Sequence, residues 1–257
     1  MVLKGPSLSV LFLSMLLISS SLFAKEVVRV GGYQFPPFVE VNGQHSGLTL
    51  DLIALFNRHQ SDVTFQFVNT SPKRRYSDFV ANRFDMLFFE SMLWGWKDHE
   101  VEASKVFLTG GEVYIANKKH NQNEEFFDQL KEKKLVGVLG YHYGFAGFNS
   151  DTTYLMNEFD IRLVSSPESI LRRITSDKSD VGVVTLSYLN AKLLEEPELN
   201  NQLFISKRFD QKYEHTILAR KNSIVSINII NRWLNEMRDN GSLKALFARY
   251  NLQENMK

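Results

Sequence analysis

Val28-Arg29-Val30-Gly31-Gly32-Tyr33 is answered later in the chain by Val136-Gly137-Val138-Leu139-Gly140-Tyr141. Each is a short β-favouring run that closes on a Gly-Tyr turn. The echo continues in the same order. Phe67-Val68-Asn69-Thr70-Ser71-Pro72 has its counterpart in Leu163-Val164-Ser165-Ser166-Pro167, and in both copies an aspartate, Asp85 or Asp180, follows the proline by 13 positions. An apolar strand comes next each time, Met86 to Phe89 and Val181 to Val184. Serine caps helices, and proline fits the first helical position because its missing N–H would be unpaired there anyway. Each Ser-Pro pair therefore predicts a helix, with Tyr76, Phe79 and Val80 on one core-facing stripe and Ile170, Leu171 and Ile174 on the other. Strand, turn, helix, strand, capped helix, strand, written twice, predicts two α/β lobes on mostly parallel sheets. Two further stripes, Ile227-Ile230-Leu234-Met237 and Leu243-Leu246-Phe247-Tyr250, predict closing helices on either side of an Asn240-Gly241 stop.

Composition narrows the chemistry. Of 257 residues 44% are apolar, none is cysteine, and 30 Lys+Arg face 29 Asp+Glu. Near-neutrality supplies no field for nucleic acid or an acidic membrane surface. The lack of cysteine excludes disulfides, thiolate nucleophiles, cysteine-held metals and a lipidated N-terminal cysteine. Residues 1–24 stand apart: Lys4 is their one charge, an apolar stretch runs to Phe23, and Ala24 offers a small cleavage residue. This is the pattern of a secretory signal peptide. Its removal takes away one cation and no acid, so the mature chain balances 29 basic against 29 acidic residues. No later stretch is long and apolar enough to span a bilayer, so a soluble exported protein is expected, without membrane insertion and as a monomer.

In open α/β sheets ligands sit beyond the carboxyl ends of the strands. Three turns there are rich in rings: Tyr33-Gln34-Phe35-Pro36-Pro37-Phe38, Glu90-Ser91-Met92-Leu93-Trp94-Gly95-Trp96-Lys97, and Gly140-Tyr141-His142-Tyr143-Gly144-Phe145. Aromatics fill cores as readily as sites, but three such loops at equivalent ends favour a ligand cleft. Glu90 follows a wholly apolar strand, so its carboxylate must be paired, with Arg75 or Lys97, or face a ligand. Glu112 is a weaker candidate, since it only precedes the strand-like run Val113 to Asn117. The N–H groups of Tyr141 to Gly144 suit an anionic group if they open a helix. The six histidines show no H-x-x-x-H or H-x-x-E-H spacing, so no metal and no cofactor is expected, and His142 reads as a hydrogen-bonding group.

Over nearly all of the mature length the sequence resembles the periplasmic solute-binding proteins of family 3, which serve polar amino-acid ABC transporters. The resemblance rests on Val28 to Gly31 with Phe35 to Phe38, on Gly47-Leu48-Thr49-Leu50-Asp51-Leu52, on Arg83-Phe84-Asp85-Met86 and Lys178-Ser179-Asp180-Val181, and on Leu234 to Tyr250. It implies the two-lobed type II periplasmic-binding-protein fold, α/β in each lobe and joined by two hinge strands near Val113–Asn117 and Tyr213–Leu218. Residues 25–113 with 217–257 would form one lobe and 114–216 the other, closing around a small ligand recognised by an ABC permease or a membrane sensor.

Carried over position by position, Phe35 matches the aromatic that stacks on the ligand. The arginine that clamps the carboxylate falls on Lys97, the small hydroxyl residues of the strand end on Phe89 and Glu90, and the acid that meets the ammonium on Thr185. Lysine lacks arginine's planar fork, so both handles for a standard α-amino acid are altered. The candidate ligand-binding residues are therefore Tyr33, Phe35, Arg75, Phe89, Glu90, Trp94, Lys97, Tyr141, His142, Tyr143 and Thr185. A cyclohexadienyl dehydratase-like lyase on the same fold is the enzymatic alternative. No nucleophile motif or phosphate loop supports it, and a non-catalytic receptor is the reading preferred.

Overall fold

The computed structural model describes residues 25–119 and 122–252; the leader, its cleavage at Ala24 and His120 lie outside the described residues. The first half of the repeat comprises β1 (Glu26–Gly32), the hairpin β2 (Glu40–Asn42) and β3 (Gln44–Ser46), α1 (Leu48–His59), β4 (Val63–Asn69), α2 (Arg75–Val80) and β5 (Met86–Glu90). β6 (Val101–Ala103) and β7 (Leu108–Asn117) lead into the second half. That half contains β8 (Leu135–Val138), α3 (Thr152–Glu158), β9 (Ile161–Val164), α4 (Pro167–Thr175), β10 (Val181–Thr185), α5 (Leu186–Glu195) and α6 (Leu199–Gln202). The long β11 (Leu203–Arg220) then returns to the first half, where α7 (Ile227–Asp239) and α8 (Ser242–Ala248) follow.

The main sheet runs β4-β1-β5-β11-β7-β10-β8-β9, with β6 also on β11. In both halves the strand carrying the echoed phrase, β1 or β8, lies in the middle, parallel to its two neighbours. The repeated aspartates now have a mechanical role. Arg29 N–H donates to Asp85 Oδ2 at 2.8 Å while Asp85 N–H donates back to the Arg29 carbonyl at 2.8 Å. Lys134 and Asp180 repeat the exchange at 2.8 and 2.7 Å. Asp85 thus pins the start of β5 to β1, and Asp180 pins the start of β10 to β8. Gly137 shares in the packing: a Cβ there would lie 2.6 Å from the Tyr143 hydroxyl, so the bare backbone lets that ring fold flat onto β8.

The second Ser-Pro pair behaves as predicted. Ser166 is the N-cap of α4, accepting from Ser169 N–H, and Pro167 takes the first turn. The first pair differs. Pro72 to Arg74 form turns and α2 starts only at Arg75, with Ser71 Oγ accepting from Arg74 N–H at 3.2 Å. α2 is short, and its stripe is narrower than predicted: Phe79 is buried but Val80 is 65% exposed. α7 and α8 bury Ile230, Leu234 and Met237, and Leu243, Leu246 and Phe247. Phe56, Phe65 and Phe88 pack together with Trp233 against one another.

The two halves are joined through antiparallel pairing of β7 with β11, which also pairs with β5, while β7 pairs with β10. The ladder has a bulge: Phe209 faces Val113 and Gln211 faces Glu112, leaving Asp210 as the extra residue. Bulges re-aim side chains next to functional sites, and here Asp210 is turned toward the loop after β8.

Asp85→Ala and Asp180→Ala should each lower stability by about 1–3 kcal/mol, the cost of leaving a strand N–H without its partner. Urea denaturation would measure this. Asn at either position should lose less, because its carbonyl can still accept.

Candidate functional site

The three aromatic loops meet. Tyr33 and Phe35 after β1, Trp94 after β5, and Gly140, Tyr141 and His142 after β8 line one buried cavity, together with Arg75 of α2, Glu112 of β7 and Gln211 of β11. The free space is about 10 Å³, close to what a single water molecule needs. Side chains of the two halves are therefore in contact across it. Phe35 lies edge-on to both Trp94 and Tyr141 at 5.7 and 5.6 Å between centroids.

Arg75 is the charged centre of the first half's wall. It is 1% exposed, and its Nε lies 3.6 Å from Glu90 Oε1. Its guanidinium carbon sits over the Tyr33 and Tyr76 rings at 4.9 and 4.5 Å. Nη1 donates to the carbonyls of Pro72 and, at 3.2 Å, Gly140. Glu90 is equally buried and accepts hydrogen bonds from Tyr33 Oη at 2.6 Å and Trp96 Nε1 at 2.9 Å. Burial pushes the Glu90 carboxyl up, and Arg75, Tyr33 and Trp96 pull it back. Of the partners proposed for Glu90, the structure selects Arg75.

His142 Nδ1 lies 3.3 Å from Arg75 Nη2, and Nε2 lies 3.3 Å from Tyr76 Oη. A guanidinium only donates, so Nδ1 accepts and Nε2 carries the proton. Burial, reinforced by Arg75, pushes the imidazole down to about 3, so His142 is neutral. Gly140 has φ +82, and a Cβ there would lie 2.8 Å from Lys73 N. Close approach of the two halves requires glycine at this point.

Glu112 and Gln211 face each other on the β7–β11 ladder. Gln211 Nε2 donates to Glu112 Oε2 at 2.9 Å and to the His142 carbonyl, while its Oε1 accepts from Trp94 Nε1 at 3.0 Å. Glu112 is fully enclosed. Burial, then the Asp210 carboxylate, push its carboxyl up to about 8. The N–H groups of Gly144 and Phe145 do open a short 3₁₀ helix, but the anion they hold is internal: Asp210 accepts them at 2.7 and 2.9 Å.

The structure does not bring every candidate to the cavity. Lys97 is exposed, because Trp96 takes the inward position of that turn. Phe89 packs into the core against Phe38 and Phe107. Tyr143 lies beneath the loop, its hydroxyl bonded to Val138. Thr185 is buried at the N-terminus of α5, opposite Glu112 in register but outside the cavity lining. Glu112, expected ahead of a hinge strand, lies within β7. Gln211 gave no signal at all, since only the bulge beside it directs it inward. Among the described residues no group of three or more His, Asp or Glu is placed to hold a metal ion.

Residues 28–253 match the bacterial extracellular solute-binding proteins, family 3, and the chain belongs to that family. Solved structures share the fold. A binding component of an ABC transporter from Wolinella succinogenes DSM 1740, complexed with lysine, has TM-score 0.70 at 16% identity, covering 87% of this chain and 94% of its own. An ABC uptake transporter substrate-binding protein from Streptococcus pneumoniae with bound histidine has TM-score 0.69 at 16% identity, covering 87% and 92%. An ancestral amino-acid-binding protein, described as a precursor of cyclohexadienyl dehydratase, has TM-score 0.67 at 19% identity, covering 87% and 95%. No curated protein sequence matches the chain. Among the described residues no helix is long and apolar enough to cross a membrane.

The Glu112 carboxyl holds extra native-state protons between its ordinary 4.5 and about 8. Stability contributed by that group therefore falls as pH rises through this window. In thermal denaturation, Glu112→Gln should gain on the wild type steadily as the pH is raised through that window. A pH-independent difference would mean the carboxyl is not desolvated as described.

Proposed function

We propose that the mature protein is an exported, non-catalytic receptor that closes around a small polar, amino-acid-like solute for ABC-type uptake. The observation that carries this reading is the convergence of aromatic loops from both halves, with Arg75, Glu112 and Gln211, on one buried cavity at the carboxyl ends of the strands. Membership of the family supports the transport role, and solved neighbours of this fold bound to lysine, histidine, arginine or glutamine support the ligand class. On this reading residues 25–113 with 217–257 move as one lobe and 114–216 as the other, about β7 and β11. The cleavable leader delivers the chain to the periplasm, where an ABC permease or a membrane sensor reads the closed form.

The carboxylate handle, in this proposal, is Arg75 in place of the exposed Lys97. It is prepaired with Glu90 and freed on its cavity side when the halves part. Removing one member of a buried ion pair costs about 3–5 kcal/mol, so Arg75→Met should lose stability as well as binding, whereas Lys97→Met should change neither.

A lyase is the second reading, favoured by one feature: a buried carboxyl raised to about 8 is the kind of group used for acid–base elimination. Incubation with prephenate or arogenate distinguishes the two, since product formation would establish the enzyme.

Binding only the folded state stabilises it by about 2.7 kcal/mol at a hundredfold excess over Kd. A panel of L-amino acids, polyamines and small carboxylates should contain compounds that raise the Tm by several degrees. A panel without a single shift would overturn the receptor reading.

A further inference from the structure

We propose that Glu112 and the His142 carbonyl form a seat for a cationic nitrogen, and that in this structure the Gln211 amide occupies that seat. The solute, on this proposal, carries an ammonium or guanidinium group that displaces Gln211. The inference rests on the receptor reading above and adds the charge of the ligand to it.

Two oxygen acceptors from different elements converge on one nitrogen, Gln211 Nε2: a carboxyl oxygen of β7 and a backbone carbonyl of the loop after β8. A third contact, Trp94 Nε1 donating to Gln211 Oε1 at 3.0 Å, holds the amide in place. Convergent acceptors beside aromatic faces are what an ammonium ion requires, because rings attract cations through their quadrupoles. Phe35, Trp94 and Tyr141 line the same cavity. A neutral amide satisfies the hydrogen bonds of the seat but brings no positive charge, so the Glu112 carboxyl keeps its proton here. The groups acting on Glu112 bear this out. Asp210 and Tyr213 face it from β11, Tyr141 and Tyr143 from the loop after β8, and Tyr114 from its own strand. Neutral His142 is reached through Gln211, and Arg75 is committed to Glu90 across the cavity.

The register adds an independent argument. Gln211, Glu112 and Thr185 lie side by side on three adjacent strands. Of the three, only Gln211 and Glu112 line the cavity, so any carboxylate offered by this floor comes from Glu112. When a cation enters, Glu112 gives its proton to solvent and the pair forms, so binding by the wild type is coupled to proton release.

Isothermal titration of the mature chain with the twenty L-amino acids, putrescine, agmatine and the 2-hydroxy-acid analogues of the binders tests the proposal. Binders should carry an ammonium or guanidinium group, and their analogues lacking it should fail. Affinity should rise between about pH 6 and about pH 8, below which the free carboxyl keeps its proton, and buffers of different ionisation enthalpy should report about one proton released near pH 6. Glu112→Gln, which still accepts from Gln211, should weaken binding on the order of 30-fold or more and abolish the proton release. Gln211→Ala, which empties the seat, should bind more tightly than the wild type, because no occupant has to be displaced. Equal affinity in Glu112→Gln, or tight binding of a neutral or anionic solute with no cationic group, would overturn the cation seat and leave the receptor reading intact. A wild type that binds nothing in the panel would overturn both.

Discussion

β11 is hydrogen-bonded to β5 and β6 at one end and to β7 along the rest, and β7 is bonded in turn to β10. Every connection of sheet between the two halves passes through that pair. The single-residue bulge at Asp210 sets what the pair presents to the cavity. It sends Asp210 to the Gly144 and Phe145 N–H groups and to the Tyr114 hydroxyl at 2.7 Å, and it leaves Gln211 directly opposite Glu112. Because the side-chain period of a strand is two, a one-residue change in this register would turn Gln211 outward and release the loop carrying Tyr141 and His142.

The charges enclosed around the cavity are arranged so that little net charge is buried. Arg75 is matched by Glu90 and flanked by two rings. His142 is held neutral, and Asp210 is satisfied by three donors. Glu112 is the exception, a carboxyl whose neighbours are another carboxylate, an amide and phenols. Buried groups of this kind are costly unless paired, and they concentrate at functional sites. The closed cavity can retain it because the carboxyl takes up a proton.

Much of the fold was legible because its signals are local and repeated. The echoed strand-turn phrase, the two Ser-Pro pairs and the two aspartates each depend on a few neighbouring residues, and each recurs at the equivalent place in both halves. The candidate site was legible where it rests on loops following strands: Tyr33, Phe35, Trp94, Tyr141 and His142 converge. It was less legible where inward direction had to be inferred from position alone. Lys97 and Trp96 are adjacent, and nothing local says which turns inward. Thr185 and Glu112 are neighbours only through pairing of β10 with β7. Gln211 depends on a bulge, which sequence spacing does not reveal. Arg75 is fully buried 3.6 Å from Glu90, a pairing across elements that no local spacing reveals.

The proposed receptor turns on one cavity closed by three loops and floored by the β7–β11 ladder. Hydrogen exchange measured with and without the panel compound that most raises the Tm tests this most directly. Amides of residues 33–35, 38, 91–97 and 140–146 should gain protection together, with β7 and β11 around Glu112 and Gln211. Protection confined to one half, or to a surface away from these loops, would contradict it.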